Sequence, residues 1–425
     1  MNYQSTRNAA LTASSAEAIL NGLAPDGGLY TMPSFDEVKF DYTTVLNMDT
    51  MSMSTKILSK LLPDFSEAEM AKLVHDGYTG KFETDHLTPT VPVGEDFILE
   101  LFRGPTSAFK DVALSMLPRL MTASKEKLGV DDEIMILTAT SGDTGKAAME
   151  GFCDVPGTKI IVFYPHGGVS AVQQAQMATQ EGDNVCVCAV RGNFDDAQTG
   201  VKRIFSDEAL REELAGRGYF LSSANSINWG RLLPQIVYYV SAYCDLLNAG
   251  TIEAGTRVNF CVPTGNFGNI LSGFYAKRMG VPIGRLICAS NENNVLTDFI
   301  KTGTYDRNRP FYQTASPSMD ILISSNLERL LSLLSGSDEE VRGYMQKLSE
   351  TGTYTVSDRV LRAVQAEFSC GFCTDAQGAQ TIGKTFRENH YLLDTHTAVA
   401  CTVLDAYRAE TSDQTVSYTH LTLPT

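Results

Sequence analysis

Short apolar segments and amphipathic segments alternate from residue 133 onward, and this alternation constrains the fold most. EIMILTA (133–139) and TKIIVFYP (158–165) are continuous apolar runs of strand length, and each leads through a polar turn into a helix-like segment. The same cycle recurs at NVCVCAV, TRVNFCVP and RLICAS. Strands without polar alternation are typically buried on both faces. The pattern therefore predicts an α/β fold with parallel sheets that are covered by helices.

The two ends of the chain differ from this pattern. SFDEV (34–38) and DFSEAEMAKLV (64–74) each place Ser or Asp ahead of acidic residues and spaced apolar positions, which is typical of a helix start. We therefore expect residues 1–85 to be a helix-rich extension. Residues 416–425 are unlike the helix-like DTHTAVACTVLDAYRAE before them, and no closing strand is predicted there. We interpret 416–425 as a tail foreign to the rest of the chain.

Composition restricts the partners of the protein. Its 425 residues, 43 % of them hydrophobic, are enough for two or three domains with buried cores. A net charge of −16 repels nucleic acid and anionic membranes, so we expect neither as a partner. The start of the sequence lacks the basic and apolar segments of a signal peptide, and no stretch reaches the length of a membrane span. We expect a cytoplasmic protein whose nine cysteines stay reduced.

Lys110 lies near the start of a predicted helix in RGPTSAFKDVALSMLPRLM (103–121). Ser107 is a candidate cap for a helix that begins near Ala108. The positive end of the helix dipole, together with partial burial, lowers the pKa of a lysine there and favours the neutral amine that a Schiff base requires. The alternative interpretation is an exposed surface lysine, and this segment alone does not exclude it.

Two glycine-containing turns follow predicted strands. TATSGDTG (138–145) is rich in hydroxyl groups, and backbone N–H groups with Ser and Thr hydroxyls at a helix start suit a carboxylate. VPTGNFGN (262–269) has two glycines three residues apart, which lets the backbone wrap closely around a phosphate. It matches neither the Walker loop nor the GxGxxG fingerprint. Each turn alone is also compatible with an ordinary capped connection.

A fourth segment, SSANSINWGRLLPQ (222–235), places Arg231 at another predicted helix start. An arginine there can bind a phosphate with two parallel hydrogen bonds. The simpler interpretation is a capping motif headed by Asn228 or Gly230, with Arg231 in solvent. The histidines, including the single one in DTHTAVA (394–400), form no metal-binding pattern and are interpreted as structural.

In this order, the four segments suit a cofactor with an aldehyde and a phosphate. Five segments closely resemble the threonine synthase family in its longer bacterial and fungal form: GPTSAFKD, TATSGDTGKAA, PTGNFGN, SSANSINWGRLLPQ and SPSMDILISSNLERLL. APDGGLY (24–30) and DTHTAVA are also similar, and the resemblance covers roughly residues 1–410. It implies an enzyme of threonine biosynthesis that uses pyridoxal 5'-phosphate (PLP). The implied reaction converts O-phospho-L-homoserine and water to L-threonine and phosphate by γ-elimination and β-addition.

The resemblance implies the tryptophan-synthase-β type of fold, known as PLP fold type II. The expected fold class is α/β, with two parallel-sheet domains and a helix-rich N-terminal extension at 1–85. Residues 131–219 would form the small α/β domain, and 86–130 with 220–415 the discontinuous large PLP domain, before the tail at 416–425. Either a monomer or a homodimer is compatible with this expectation.

The resemblance also implies roles for individual residues. Lys110 is expected to carry the cofactor as a Schiff base and to be the catalytic residue. Asp143 would lie beside the ring oxygen of the cofactor, where many relatives of this fold type have asparagine. The cofactor phosphate would be bound by five residues of the second glycine turn: Gly265, Asn266, Phe267, Gly268 and Asn269. The substrate carboxylate would be bound by three residues of the first: Thr140, Ser141 and Thr144. Ser226 and Arg231, with Asn269, match positions that bind the substrate phosphate.

Two further departures from the family pattern stand out. Thr264 occupies a position where serine is commoner, which is a mild change. The closing segment of the family supplies a hydroxyl group to the pyridine nitrogen, and we find no counterpart before residue 425. We therefore expect cofactor binding to be impaired at the pyridine nitrogen.

Two other functions stay open on the sequence. A serine or threonine dehydratase, or a cysteine-synthase-like enzyme, would share the fold but needs no second phosphate site, so Ser226 and Arg231 argue against it. A non-catalytic threonine-synthase-like binding protein would not need the intact surroundings of Lys110, although the missing closing segment weakly favours it.

Overall fold

The computed structural model describes residues 2–140, 142–192, 194–411 and 417–420. The strands are β1 (Tyr3–Ser5), β2 (Thr12–Ala13), β3 (Tyr30–Thr31), β4 (Thr90–Val93), β5 (Asp96–Glu100), β6 (Glu133–Ala139), β7 (Thr158–Pro165), β8 (Val185–Val190), β9 (Tyr219–Ser222), β10 (Val258–Pro263), β11 (Ile283–Ser290), β12 (Thr304–Asp306), β13 (Thr353–Thr355), β14 (Phe368–Phe372) and β15 (Ser417–His420). The helices are α1 (Ser15–Asn21), α2 (Thr50–Leu61), α3 (Glu67–Tyr78), α4 (Lys110–Leu128), α5 (Asp143–Phe152), α6 (Ala171–Ala178), α7 (Phe194–Ser206), α8 (Glu208–Gly216), α9 (Trp229–Asn248), α10 (Gly268–Met279), α11 (Val295–Thr302), α12 (Leu327–Ser335), α13 (Asp338–Thr351), α14 (Asp358–Glu367), α15 (Asp375–Asn389) and α16 (Thr395–Glu410).

Two sheets form the α/β part of the molecule. The first has the strand order β8–β7–β6–β9 and is parallel throughout. The second has the order β14–β11–β10–β15–β5–β4, in which β4 pairs antiparallel with β5 and the other neighbours are parallel. Ile134, Ile136, Ile160 and Val162 of the first sheet are fully buried, as expected for strands covered on both faces. The predicted α/β fold with parallel sheets is confirmed.

Helix α9 runs through the core of the molecule. Seventeen of its twenty residues are buried, so the helix has almost no solvent face. Asn228 caps it by accepting a hydrogen bond from the Gly230 N–H at 2.9 Å. Arg231 therefore lies in the buried first turn of a central helix. No helix in the part of the chain that the structure describes is long and apolar enough to cross a membrane.

The N-terminal region confirms one predicted helix start and corrects another. Ser66 caps α3 in a capping box with Glu69, as the pattern predicts. SFDEV (34–38) instead forms a turn, so the prediction of a helix start there is wrong. The Phe40 N–H donates to the carbonyl of Met279, and this contact directs the chain away from a helical path. Helices α1 to α3 accompany a small antiparallel sheet of order β2–β1–β3.

The end of the described chain contributes a strand that the sequence pattern missed. The backbone of β15 lies between β10 and β5, with Ser417 opposite Phe260 and Tyr418 opposite Cys261. The prediction that no closing strand follows the last helix is therefore wrong. A four-residue strand without an apolar run carries too little periodicity to be recognised. The predicted domain bounds, including 416–425 as a separate tail, stay predictions.

Candidate active site

The segment before α4 closes on itself and presents Lys110 as the first helical residue. The helix begins two residues later than predicted, and Ser107 does not cap it; Ser107 adopts a positive φ of 56°. The Asp111 carboxylate instead accepts hydrogen bonds from the Thr106 N–H at 2.8 Å and the Thr106 hydroxyl at 2.5 Å. This local loop fixes the direction in which the Lys110 side chain leaves the helix.

Lys110 is buried, with a side chain only 10 % exposed, so the interpretation as a surface lysine is excluded. Its Nζ donates a hydrogen bond to Oδ2 of Asp143. Burial lowers the pKa of Lys110, and the nearby charge of Arg231 lowers it further, while Asp143 opposes both. The predicted direction of the pKa is confirmed, and the largest cause is loss of solvent.

Asp143 is the ionised partner of this amine. Burial raises its pKa, but the Lys110 ammonium and the hydrogen bond from Ser318 outweigh burial and bring the pKa to about 2. The Ser318 hydroxyl lies 2.7 Å from Oδ2, and the Thr144 N–H lies 2.8 Å from Oδ1. Asp143 is therefore a carboxylate at neutral pH.

The first glycine turn is held by the hydroxyl of Thr140. This oxygen accepts hydrogen bonds from the N–H groups of Gly142 at 3.0 Å and Gly145 at 2.9 Å, and it donates to the Gly142 carbonyl. Gly142 has φ 149°, a backbone conformation that favours glycine. Ser141 lies outside the described residues. Binding of the substrate carboxylate by Thr140, Ser141 and Thr144 stays a prediction.

The second glycine turn leads into α10 with its N–H groups uncapped. Phe267 precedes the helix with φ 63°, and no side chain caps the first turn. The turn is anchored through its carbonyls, because the Gly265 carbonyl accepts from Ser324 at 2.8 Å and the Asn266 carbonyl accepts from Asn326 at 3.1 Å. Because the carbonyl groups are used for anchoring, the N–H groups on the other side of the turn are available to an anion.

Close backbone approach explains the first glycine of this turn, whereas the second has only ordinary side-chain contacts. A Cβ on Gly265 would lie 2.8 Å from the carbonyl oxygen of Ser318, which is a steric clash with backbone. A Cβ on Gly268 would lie 4.0 Å from the Cβ of Ser226. The structure thus brings Ser226 beside the glycine turn and Ser318 between that turn and Asp143.

Two buried donors near these groups lack a partner. Arg231 donates to the Ala224 carbonyl at 2.7 Å, but its Nε has no hydrogen-bond acceptor among the described residues. Burial lowers the pKa of Arg231 to about 10, although Asp143 opposes the shift. The Nδ2 of Asn269 is likewise buried without a partner in the described structure. The interpretation of Arg231 as a solvated residue is therefore wrong.

The unsatisfied donors fit an anionic ligand. Other buried donors without an acceptor occur in the described structure, for example at Arg119 and Trp229, but Arg231 lies near Lys110 and Asn269 belongs to the second glycine turn, so these two can serve a ligand of the site. The lowered pKa of Lys110 suits an aldehyde, and the uncapped start of α10 suits a phosphate. These are the two groups that PLP presents. Surface cavities of 350 and 300 Å³ beside Arg7 and Arg309 contain none of these residues in their walls.

Sequence reasoning missed three residues of the site. Ser318, as described, contacts Asp143, and its own N–H donates to Nε2 of His396 at 3.2 Å. Nδ1 of His396 lies 3.1 Å from Oδ1 of Asp394. The sequence indicated the segment of Ser318 only through its family resemblance, and it indicated His396 only as a structural histidine. A hydroxyl group in one segment, and an imidazole and a carboxylate in another, carry no local signal of a shared site.

Comparison with known proteins agrees with this geometry. Residues 2–78 match the family model described as threonine synthase N terminus, and residues 93–420 match the model described as pyridoxal-phosphate dependent enzyme. Threonine synthase-like 1 of Homo sapiens is 40 % identical over 418 residues. That alignment covers 95 % of this chain and 56 % of the relative, so the chain spans little more than half the length of this relative.

Other relatives are covered over more than four fifths of their length. Threonine synthase of Saccharomyces cerevisiae is 35 % identical over 449 residues, covering 99 % of this chain and 86 % of the relative. Among solved structures, PLP-bound threonine synthase from Brucella melitensis has a TM-score of 0.91 at 39 % identity and covers 100 % of this chain and 89 % of its own. The yeast structure has a TM-score of 0.89 at 34 % identity, with 99 % and 86 % coverage. The chain belongs to the threonine synthase family of PLP-dependent enzymes, with the type II fold.

Proposed function

We propose that the protein converts O-phospho-L-homoserine and water to L-threonine and inorganic phosphate. The observation that carries this proposal is the juxtaposition of the Lys110 amine, the Asp143 carboxylate and the Arg231 guanidinium in one buried site. The names of the yeast and Brucella relatives support it. The cytoplasmic location and the monomeric or homodimeric state predicted from the sequence belong to the same proposal.

Each end of the cofactor has a candidate partner in the chain. PLP, when bound, supplies an aldehyde that takes up an amine and a ring that accepts the electron pair released from a substrate carbon. Lys110 supplies the amine. The five residues of the second glycine turn, 265–269, would bind the phosphate through backbone N–H groups. The Asn269 amide adds a side-chain donor whose oxygen already accepts from Tyr238 at 2.8 Å and Tyr239 at 2.7 Å.

The chain supplies a base and a cation for the reaction. Because burial lowers the pKa of Lys110, its amine takes a proton from a substrate carbon more readily than a solvated lysine would. Asp143 stabilises the ammonium that forms and holds its nitrogen in place. Arg231, with one N–H unused, would bind the substrate phosphate and neutralise the charge that leaves with it. Ser226 lies near enough to the glycine turn to assist.

The test is product stoichiometry with the cofactor-loaded chain. Phosphate released from O-phosphohomoserine should equal the threonine formed. Absence of phosphate release would reject the proposal, and phosphate release with a keto acid in place of threonine would favour a dehydratase-type enzyme. Lys110→Ala should abolish both turnover and covalent retention of the cofactor.

Arg231 separates the proposal from a non-phosphorylated substrate. Arg231→Gln should raise KM for O-phosphohomoserine by about 10- to 100-fold, which is the usual effect of losing a charged hydrogen bond of 1.5–3 kcal/mol. Arg359→Gln, which removes an arginine paired with Glu340 at the surface, is the matched control and should leave KM unchanged. Unchanged turnover of the phosphorylated substrate by Arg231→Gln would contradict the assigned role.

A further inference from the structure

We propose that Ser318, His396 and Asp394 are positioning residues for the proposed reaction. They form a hydrogen-bonded chain, hereafter the positioning chain, which is buried at Asp394 and His396 and half-buried at Ser318. The positioning chain ends on Asp143 and fixes this carboxylate against Lys110. The inference rests on the proposed function, because it concerns the same amine, but its test does not require turnover.

The first link joins Ser318 to the carboxylate that contacts the lysine. The Ser318 hydroxyl donates to Oδ2 of Asp143 at 2.7 Å, and Lys110 Nζ donates to the same oxygen. Two donors therefore share one acceptor atom. When one donor withdraws charge from this oxygen, the hydrogen bond between the oxygen and the other donor becomes weaker. The serine hydroxyl thus sets how strongly Asp143 retains the proton on Lys110.

The second link fixes the serine through the histidine. The Ser318 N–H donates to Nε2 of His396, so Nε2 must carry a lone pair. The ring proton then sits on Nδ1, 3.1 Å from the Asp394 carboxylate. This geometry assigns a neutral imidazole of defined tautomer, held on both sides.

The third link is a rigid carboxylate at a helix start. Asp394 caps α16 by accepting from the N–H groups of His396 at 2.8 Å and Thr397 at 3.2 Å. Its second oxygen accepts the Thr397 hydroxyl. Asp394 is 1 % exposed and His396 is 5 % exposed. Buried polar groups with their bonds satisfied define one arrangement, so the positioning chain transmits a fixed geometry to Asp143.

The same serine also faces the proposed phosphate site. Ser318 lies in the single helical turn Pro317–Met319, and its carbonyl oxygen is the atom that a Cβ on Gly265 would strike. His396 holds this turn by accepting the backbone N–H of Ser318. The turn in its place contacts Asp143 at the lysine end of the proposed cofactor site and Gly265 at the phosphate end. A purely structural role for His396 would not predict an effect on the lysine.

Four titratable or charged groups determine how readily Lys110 loses its proton. Asp143 approaches from α5, Arg231 from α9 and Asp111 from the same helix as the lysine. His396 approaches from α16 and acts through Asp143. Asp143 is the only one of these four that contacts Nζ in the described structure, so a change at Ser318 alters the largest favourable interaction of the ammonium.

The experiment measures the proton affinity of Lys110 through the attachment of PLP. The full-length chain, freed of cofactor, is mixed with PLP, and the rate at which the yellow protein-bound absorbance appears is recorded from pH 6 to 10. Only the neutral amine reacts, so the pH midpoint of the rate reports the pKa of Lys110. Ionisation of free PLP is common to all variants and cancels in the comparison.

Ser318→Ala should raise this midpoint by about one pH unit, because Asp143 loses a charge-assisted hydrogen bond and pairs more strongly with the lysine. His396→Leu should shift it in the same direction. His396→Gln should restore most of the original midpoint, because the glutamine oxygen can take the place of Nε2 as acceptor. Ser316→Ala is the matched control, since Ser316 is buried in the same segment and bonds to Asn291 instead.

A midpoint unchanged in both Ser318→Ala and His396→Leu, with normal circular dichroism, would overturn the proposal. So would equal behaviour of His396→Gln and His396→Leu. If His396→Leu fails to fold, Ser318→Ala and His396→Gln decide the question. In turnover, Ser318→Ala should lower kcat about tenfold and leave KM within about twofold. A shifted midpoint in a chain that forms no threonine would reject the proposed reaction and retain the positioning chain.

Discussion

Replacing Asp143 by asparagine tests the central pair of the site directly. D143N preserves the size of the side chain and removes its charge. Burial alone would raise the pKa of this carboxyl, yet the pKa is about 2 against an ordinary value of 3.8. At 1.36 kcal/mol per pKa unit, the difference corresponds to about 2 kcal/mol of net stabilisation of the carboxylate, which remains after the donors, Lys110 foremost, have outweighed burial.

The interaction between two charges is reciprocal, so Asp143 in turn raises the pKa of Lys110. D143N should therefore lower the pH midpoint of PLP attachment by about 1–2 pH units. Ser318→Ala is expected to shift the same midpoint upward, and this opposition of sign is the sharpest feature of the prediction. At a pH below both midpoints, D143N should bind PLP about 10- to 100-fold faster, since more of its lysine is neutral.

The pH dependence of stability follows from the same pair. A carboxyl with a lowered pKa stabilises the folded chain above its ordinary value of 3.8, and this contribution is lost as pH falls toward 2. D143N lacks this contribution at every pH. The difference in free energy of unfolding between D143N and the parent chain should therefore decrease below about pH 4.

Stopped-flow absorbance across the pH range is the assay for D143N. Asp76→Asn is the matched control, because Asp76 is paired with Lys72 at 2.6 Å on the surface and should leave the midpoint in place. The reasoning is refuted if the D143N midpoint rises or stays within 0.3 pH units (roughly twofold in equilibrium) of the parent value.

Two further predictions concern the glycine turn. Gly265→Ala should weaken PLP binding by about 10- to 100-fold, because its Cβ would meet the Ser318 carbonyl oxygen at 2.8 Å, and overpacking of this kind costs about 1–3 kcal/mol. Gly343→Ala, which meets no atom within 4 Å, is the control, and equal dissociation constants in a fluorescence titration would contradict the steric argument. Tyr239→Phe removes a hydrogen bond of 2.7 Å to the Asn269 side-chain oxygen and should weaken phosphate-dependent binding of PLP about three- to tenfold. Calorimetric titration with PLP and with the phosphate-free aldehyde checks this, because only the former should lose affinity.

The elements with a strong local pattern could be predicted from the sequence. The apolar strands at 133–139 and 158–165 and the capped helix α3 lie where their periodicity places them. SFDEV carried the same capping signal as α3 but forms a turn, because a contact with Met279 overrides a weak propensity. The strand at Ser417–His420 is defined by its neighbours β10 and β5 and not by its own side-chain pattern.

For the site, the sequence by itself determined which groups are available, namely the amine of Lys110, the glycine turn at 265–269 and the Arg231 guanidinium. Only the tertiary structure decided that Arg231 is buried. It also decided that Ser318 donates a hydrogen bond to Asp143, which lies 175 positions earlier in the chain. His396 reaches Ser318 across 78 positions. Hydrogen bonds and burial act over a few ångströms of space, whereas motif and periodicity report only on neighbours along the chain. A pKa set by burial and by partners from distant segments is therefore a property of the fold.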